Sequence, residues 1–177
     1  FFVTNQGLTS GHDDKIKRAF LEGHTIGLHS YTHIYKTVYQ SEEAYFNDLY
    51  AIQKKVKDIT GYESTIIRFP GGSSNTISRF NPGIMSRLVN EVELRGFRYF
   101  DWNVSSGDAG GAKSSTEVFN NVVRSLKNGK TYVVLQHDIK GFSVDAVESI
   151  IEYGLSNGYT FAPLTMESPV VHHGVNN

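Results

Sequence analysis

The 177-residue chain contains no cysteine, which excludes disulfide bonds, thiolate metal sites and cysteine nucleophiles. It also lacks an excess of charge, because 17 Lys and Arg residues balance 18 Asp and Glu residues to a formal net charge of -1. A broad positive surface for binding nucleic acid is therefore excluded. No apolar run approaches the roughly 20 residues that cross a bilayer, so no membrane span is expected. The composition, 39% hydrophobic and 20% charged, is that of one ordinary folded domain.

An initiator methionine is missing as well, since the chain begins with FFVT at residues 1–4, the pattern of a strand already in progress. We therefore expect an N-terminally truncated domain, with any signal peptide, anchor or earlier strand upstream of Phe1. The absence of a targeting segment from these residues is, for that reason, no indication of a cytoplasmic protein.

Short apolar runs alternate with longer segments of helical periodicity, the pattern of βα units around a parallel sheet. We predict an α/β fold in one domain over residues 1–177, because no repeat, low-complexity tract or linker interrupts this pattern. The clearest helix begins after Ser41, a capping residue, and ends at Gly61. Further helices are predicted from near Pro82, over 116–127 and over 144–156, and strands over 1–4, 25–28, 65–68, 97–102, 132–136 and 159–164.

Polar or titratable side chains follow four of these strands directly. In parallel βα folds the loops after the carboxyl ends of the strands gather at one face, where sites are built. We therefore expect one cleft to be surrounded by His29, His33, Arg68, Asp108 and His137. This concentration favours an enzyme, because strand ends in a domain without a site more often supply turn residues.

His29 and His33 are four residues apart, a spacing that places both imidazoles on one side of a helical turn and suits a divalent ion such as Zn²⁺. Such pairs also occur by chance, so a structural role stays open. No Glu lies between them as in the zincin motif, and a catalytic site needs a third ligand, commonly a carboxylate. The spacing thus predicts part of a metal site.

Arg68 ends an apolar strand and precedes Pro70 and two glycines, a rigid turn whose amides could approach a ligand closely. The alternative for Arg68 is an ion pair with a surface carboxylate. His137 follows the apolar run 133–135 and is a candidate general acid or base if Asp108 contacts it and favours its protonated form. A structural histidine held by hydrogen bonds is the alternative.

Four motifs stand in order along the chain: FFVT at 1–4, EGHTIGLHSYTH at 22–33, RFPGG at 68–72 and VLQHD at 134–138. Together they resemble the motifs of the NodB-homology polysaccharide deacetylases, carbohydrate esterase family 4, over nearly the whole chain. The resemblance implies a distorted, incomplete (β/α) barrel, here without its first strand. It also implies removal of acetyl groups from N-acetylglucosamine polymers or acetylated xylan with Zn²⁺ or another divalent metal.

The resemblance implies a catalytic role for five matching residues. His29 and His33 would bind the metal, and Arg68 would orient the catalytic base. His137 would be the general acid that protonates the leaving amine, with Asp108 as its partner carboxylate.

The resemblance also implies which residues contact the substrate. Pro70 and Gly71 lie in the turn, where the Gly71 amide could help to stabilise the oxyanion. Leu135 would line the pocket for the acetyl methyl group. The family's fourth motif commonly runs Asp-x-x-Asp-Trp, whereas Ala109 follows Asp108 here, so the tryptophan is absent. Trp102 is its candidate replacement, and a core tryptophan at a strand end is the alternative.

The family's first motif, Thr-Phe-Asp-Asp-Gly, supplies the base and the third metal ligand and is absent from these residues. The HDD sequence at 12–14 is no substitute, because its pattern indicates the first turn of a helix. We expect the Asp-Asp pair upstream of Phe1, and weak metal binding and negligible activity from residues 1–177 alone. The tail residues His172 and His173 are expected to be solvated and outside the site.

The resemblance favours a metal-dependent hydrolase that removes N-acetyl groups from N-acetylglucosamine in a polysaccharide, with peptidoglycan as the first candidate. The alternatives are a chitin or acetyl-xylan deacetylase, and a non-catalytic carbohydrate-binding remnant. The cofactor would be a divalent metal, with Zn²⁺ first, and the family implies an extracellular or cell-envelope location. A polysaccharide is the expected partner, whereas nucleic acid is not.

Overall fold

The computed structural model describes residues 1–6 and 12–177. The chain forms two compact units, of which the first comprises Phe1–Asp101 with Pro163–Asn177 and the second comprises Trp102–Ala162. The assignment of residues 1–177 to one catalytic domain stays a prediction.

A four-stranded sheet with the order β1-β2-β3-β4 lies in the first unit, and every neighbouring pair of its strands is parallel. Leu28 pairs with Ile67, and Ile67 pairs with Tyr99. The residues that follow, among them His29 and Arg68, therefore stand at one edge of the sheet. The strands are β1 (Phe2–Thr4), β2 (Gly27–Ser30), β3 (Ile66–Ile67) and β4 (Arg98–Tyr99).

Helices follow the strands of this sheet, as the alternating pattern predicts. They are α1 (Asp13–Leu21), α2 (Tyr35–Val38), α3 (Glu42–Thr60) and α4 (Ile84–Leu94), with a 3₁₀ turn at Ile77–Phe80. The longest, α3, has 19 residues. Within the described ranges, no helix is long and apolar enough to cross a membrane.

The ends of α3 confirm the predicted capping. The Ser41 hydroxyl accepts a hydrogen bond from the Ala44 amide at 3.0 Å, which satisfies a donor that the first turn would leave unpaired. Gly61 ends the helix with a φ of 77°, a conformation that glycine adopts without the cost of a Cβ clash. The apolar residues between these ends face the core, and the buried ones are Tyr45, Phe46, Leu49, Ile52 and Val56.

The close approach of β1 and β2 requires a glycine at position 27. A Cβ on Gly27 would lie 2.7 Å from ring atoms of Phe2 and 3.3 Å from the Ile66 carbonyl oxygen. Because Gly27 pairs directly with Phe2, a larger residue would require the Phe2 ring to move.

The second unit contains a separate pair of parallel strands, β5 (Val104–Ser105) and β6 (Val134–Leu135), in which Ser105 pairs with Leu135. The Ser114 hydroxyl caps a helix by accepting a hydrogen bond from the Glu117 amide at 3.2 Å. The helices are α5 (Ser115–Val123), α6 (Gly141–Val144) and α7 (Val147–Ser156). The buried apolar side chains are Val104, Ala112, Val118, Val122, Ala146 and Ile150.

One strand prediction is wrong, and another is confirmed only in part. Residues 159–164 form no strand, because their polar groups bond elsewhere: the Tyr159 amide donates to the Gly154 carbonyl at the end of α7, and the Leu164 carbonyl accepts from the Thr25 hydroxyl. The strand predicted over 97–102 is confirmed only at Arg98–Tyr99. The next extended pair, Val104–Ser105, belongs to the second unit.

Helix boundaries differ from the predictions where local geometry intervenes. The helix expected near Pro82 begins at Ile84, because Gly83 takes a left-handed φ of 77° just before it. The helix expected over 144–156 begins at Val147, and the short helix α6 precedes it. The helix expected over 116–127 ends at Val123.

Two leucines of α4 allow a matched test of the core. Leu88 is 0% exposed and Leu94 is 81% exposed. We expect Leu88→Ala to lower the free energy of unfolding by about 2–5 kcal/mol, because it removes buried contacts and leaves a cavity. Leu94→Ala should change it by about 0.5 kcal/mol or less. Urea unfolding at pH 7 measures both, and equal losses would contradict the packing of α4.

Candidate functional site

His29 lies in β2 with its ring orientation fixed by the neighbouring strand. Its Nδ1 atom is 2.7 Å from the Arg68 carbonyl oxygen. A carbonyl oxygen can only accept, so Nδ1 carries the ring proton and Nε2 carries the lone pair that a metal ion requires. Histidine ligands of metals are commonly oriented by such a second hydrogen bond.

His33 stands beside His29, but not on a shared helical turn as the spacing suggested. His29 is in a strand, and His33 lies in the loop before α2 with a left-handed φ of 53°. The two ring centroids are 5.1 Å apart. The left-handed conformation of His33 therefore brings the two rings together, where the spacing predicted a helical turn.

The ring separation is short enough that the two imidazoles could together hold one divalent ion. No group of three or more His, Cys, Asp and Glu side chains with metal-binding geometry occurs among residues 1–6 and 12–177. His29 and His33 are therefore candidates for two positions of a metal site, and their role as ligands stays a prediction.

The carboxylate of Asp48, on α3, binds the segment between the two histidines. Its Oδ2 atom accepts from the Ser30 hydroxyl at 2.6 Å and the Tyr31 amide at 2.7 Å. Its Oδ1 atom accepts from the Thr32 amide at 2.9 Å and the Thr32 hydroxyl at 2.7 Å. The Ser30 hydroxyl in turn accepts from the His33 amide at 2.8 Å.

Arg68 is buried at the carboxyl end of β3, not paired on the surface. Its Nε donates to the Phe100 carbonyl at 2.9 Å, and its Nη2 donates to the Asp101 carbonyl at 3.0 Å. The guanidinium also lies 4.2 Å from the ring centroid of Phe2. Burial lowers the pKa of Arg68 to about 10, against the opposing effect of the Asp101 carboxylate, so the group stays charged at neutral pH.

The turn after Arg68 has the conformation that its glycines permit. Gly71 and Gly72 have φ values of 77° and 80°, and the Gly72 amide donates to the Phe69 carbonyl at 2.8 Å. The buried Tyr39 hydroxyl donates to the Pro70 carbonyl at 2.7 Å. The turn is therefore anchored on its inner side, whereas Gly71 is exposed.

Asp108 and His137 form a hydrogen-bonded pair in the second unit. Their Oδ1 and Nδ1 atoms are 2.8 Å apart, and the His137 amide donates to Asp108 Oδ2 at 2.6 Å. Because Ser105 pairs with Leu135, Asp108 and His137 both follow the carboxyl ends of their strands, β5 and β6. With Nδ1 bonded to the carboxylate, Nε2 is the atom that can exchange a proton, and the side chain is 39% exposed.

The Asp108 carboxylate is only 1% exposed, yet it is stabilised in its charged form. Burial alone would raise the pKa of Asp108, but hydrogen bonds from Ser143 and His137 outweigh it, so the pKa is lowered. The Ser143 hydroxyl lies 2.6 Å from Oδ2. The second unit therefore presents a histidine beside a permanently ionised partner at neutral pH.

The two remaining residues that are predicted to contact the substrate are partly exposed. Leu135, in β6, and Trp102 are both half-buried. Their contacts with a substrate stay predictions, as does the replacement of a groove wall by Trp102.

The described contacts bring the predicted residues together in two sets. His29, His33 and Arg68 meet in the first unit, and Asp108 meets His137 in the second. That both sets surround one cleft stays a prediction.

The tail histidines are not freely solvated, which corrects the prediction for them. The His172 ring stacks on Tyr99 with centroids 3.7 Å apart, and its Nε2 donates to the Tyr99 carbonyl at 3.0 Å. The His173 amide donates to the buried carboxylate of Asp101 at 2.9 Å. The physical reason is main-chain pairing, since the Asp101 amide donates to the Val171 carbonyl at 2.8 Å.

Sequence reasoning missed Asp48 and Asp101. The signal for Asp48 was available, because an acidic residue three positions after Tyr45 and four before Ile52 lies on the apolar face of α3. A carboxylate on a helix face that packs inward indicates hydrogen-bond donors from a neighbouring segment of the chain. No comparable signal marked Asp101, whose partners are far away in the sequence.

The lowered pKa of Asp108 predicts a defined loss of stability in acid. Its contribution to folding is fully present above the ordinary aspartate pKa of about 4 and is lost as the pH falls through its lowered folded-state value. We expect Asp108→Asn to remove this part of the pH dependence, measured by urea unfolding between pH 6 and pH 2.5. Asp145→Asn, at an exposed position of the same unit, is the control. An unchanged pH dependence in Asp108→Asn would contradict the assignment.

Comparison with known proteins gives consistent matches. The sequence profile of polysaccharide deacetylases matches residues 1–81. The crystal structure of the catalytic domain of a peptidoglycan N-acetylglucosamine deacetylase from Eubacterium rectale is 51% identical, with a TM-score of 0.96, and the match covers 100% of this chain and 80% of that one. The polysaccharide deacetylase Bc1974 from Bacillus cereus is 32% identical with a TM-score of 0.76, and the match covers 94% and 77%.

Curated relatives agree with the structures. A peptidoglycan-N-acetylglucosamine deacetylase of Bacillus cereus is 32% identical over 172 residues, which are 92% of this chain. The chain spans 54% and 57% of two curated relatives, and 35% and 31% of two others. The solved structures confirm the predicted α/β fold of the deacetylase type, and neither sheet within the described ranges closes into a barrel. The chain belongs to the polysaccharide deacetylase family.

Proposed function

We propose that the protein is a metal-dependent hydrolase that removes N-acetyl groups from N-acetylglucosamine residues of peptidoglycan. The observation that carries this proposal is the placement of His29 and His33, whose rings are 5.1 Å apart at the end of a strand, with the lone pair of His29 on Nε2. The substrate is supported by the relatives from Eubacterium rectale and Bacillus cereus, whose names give peptidoglycan N-acetylglucosamine.

His29 and His33 would hold a divalent ion, for which Zn²⁺ is the first candidate. When bound, such an ion supplies Lewis acidity toward the acetyl carbonyl and the attacking water. The hydrogen bond from His29 to the Arg68 carbonyl fixes the ring that would bind, so the site is formed before a ligand arrives.

His137 would act as the general acid. Its Nδ1 donates to Asp108, which leaves Nε2 to carry the proton that the leaving amine needs. The ionised Asp108 accepts the hydrogen bond from Nδ1 and keeps the ring in one orientation. Without such a proton donor, the amine would have to leave as an unstable anion.

Arg68 and the turn at 70–72 would serve the substrate and the base. Arg68 is charged and held by two carbonyl groups, so its position is fixed, and it would orient the carboxylate that acts as the base. The exposed Gly71 would offer its amide to the developing oxyanion, as expected for a backbone donor.

The third metal ligand and the base belong, in this proposal, to the family's Asp-Asp motif, expected upstream of Phe1. The same proposal makes residues 1–177 part of one deacetylase domain that works outside the cell or in its envelope. We expect the protein extended through that motif to bind one Zn²⁺ and release acetate from peptidoglycan, and residues 1–177 alone to do neither well. Zinc analysis and acetate release measure both. Equal activity in the two would contradict the assignment of the base.

The same assay identifies the polymer. Peptidoglycan, chitin oligomers and acetylated xylan are compared at equal acetyl content, with the full-length protein. A clear preference for peptidoglycan supports the proposal. Preference for chitin or xylan would reassign the substrate, and binding of a polymer without acetate release would indicate a non-catalytic carbohydrate-binding protein.

His137 and Asp108 give a kinetic test of the proton donor. We expect His137→Ala to lower kcat on the order of 10²- to 10⁴-fold with a much smaller effect on KM, because proton delivery occurs in the transition state. Asp108→Asn should also lower kcat, since it removes the carboxylate that holds the His137 ring in one orientation. The exposed His24 serves as control through His24→Ala. A His137→Ala protein with near-normal kcat would end this assignment.

A further inference from the structure

We propose that Asp48 is a positioning residue for the metal-binding pair: it holds residues 30–33 in the conformation that brings His33 beside His29. The inference rests on the proposed metal-dependent function. Asp48 is 7% exposed, and its four described hydrogen bonds all come from Ser30, Tyr31 and Thr32. The three residues that it binds are those that separate His29 from His33.

The two oxygen atoms of Asp48 fix two successive peptide groups. Oδ2 accepts the Tyr31 amide and Oδ1 accepts the Thr32 amide. A hydroxyl can rotate to accept instead of donate, whereas a backbone N–H can only donate. An asparagine in this place would therefore lose at least one of the two bonds, whichever way its amide group turned. The loop conformation thus requires a carboxylate.

Ser30 connects Asp48 to His33. The Ser30 hydroxyl donates to Asp48 Oδ2 and accepts from the His33 amide, so the carboxylate determines the direction in which this hydroxyl points. His33 has a left-handed φ of 53°, which is unfavourable for a residue with a Cβ. The bond to Ser30 holds the amide of this strained residue in place.

His29 does not depend on Asp48 in the same way. Its position follows from the pairing of β2 with β3 and from the bond between its ring and the Arg68 carbonyl. His33 follows the end of β2, in the loop whose Tyr31 and Thr32 amides Asp48 accepts. The network from Asp48 is therefore expected to set the distance between the two imidazoles, and with it the affinity for a metal ion.

The first experiment compares Asp48→Asn with Asp58→Asn in the full-length protein. Asp58 lies on the same helix, 60% exposed and paired with Lys54. We expect Asp48→Asn to raise the Kd for Zn²⁺ about 10- to 100-fold, the range found for residues that orient metal ligands, with most of the kcat recovered at saturating Zn²⁺. Asp58→Asn should leave the Kd within about twofold. Competition with a chromophoric chelator measures the affinities.

The second experiment separates the connection to His33 from the general stability of the loop. Ser30→Ala removes the acceptor of the His33 amide, whereas Thr32→Val removes a hydroxyl from the same carboxylate and leaves that acceptor in place. We expect Ser30→Ala to raise the Kd for Zn²⁺ more than Thr32→Val does. If Asp48→Asn does not fold, this pair of variants decides the question.

Amide hydrogen exchange of residues 31–33 in the metal-free protein gives a readout that needs no metal. We expect faster exchange in Asp48→Asn and unchanged exchange in Asp58→Asn. A wild-type protein without affinity for Zn²⁺ would overturn the proposed metal-dependent function, and the exchange data would still show whether Asp48 holds the loop. Unchanged Zn²⁺ affinity in folded Asp48→Asn, with or without faster exchange, would overturn the positioning role.

Discussion

The main-chain hydrogen bonds between β2, β3 and β4 determine where His29 and Arg68 lie in the first unit. The Arg68 amide donates to the Leu28 carbonyl at 2.9 Å, and the Phe100 amide donates to the Ile67 carbonyl at 3.0 Å. This register places the Arg68 carbonyl against the His29 ring and the Phe100 carbonyl against the Arg68 side chain. A slip of one residue would turn each side chain to the opposite face and separate all of these groups.

Much of this arrangement could be predicted, because it follows from local patterns. A polar residue directly after an apolar run indicates a strand end, and parallel strands bring their carboxyl ends to one edge. Both His29 and Arg68 follow from that argument. The limits of α3 were predictable for a similar reason, since a capping serine and a glycine mark its two ends within the sequence itself.

The features that could not be predicted depend on partners distant in the sequence. The tail at 171–177 docks on residues 73–86 and 99–101 through main-chain groups and through side chains such as the His172 ring, and all of these partners are distant in the sequence. Residues 159–164 have the composition of a strand, but their polar groups are taken by a helix end and by Thr25. The spacing of His29 and His33 could not predict the left-handed backbone of His33. The His33 amide donates to the Ser30 hydroxyl, which in turn donates to Asp48 on α3.

Three buried carboxylates show the same solution to one physical problem. Asp48, Asp101 and Asp108 each accept a serine hydroxyl and at least one main-chain amide, with hydroxyl distances of 2.5–2.6 Å. Hydrogen bonds to a charged group contribute about 1.5–3 kcal/mol each, so several of them offset the cost of burial. The summed free energy of these hydrogen bonds also exceeds the roughly 1–2 kcal/mol by which a left-handed backbone at a residue such as His33 destabilises the fold. A carboxylate bonded in this way keeps its hydrogen bonds only while the surrounding loop keeps its conformation, so each of the three carboxylates stabilises the loop that it binds.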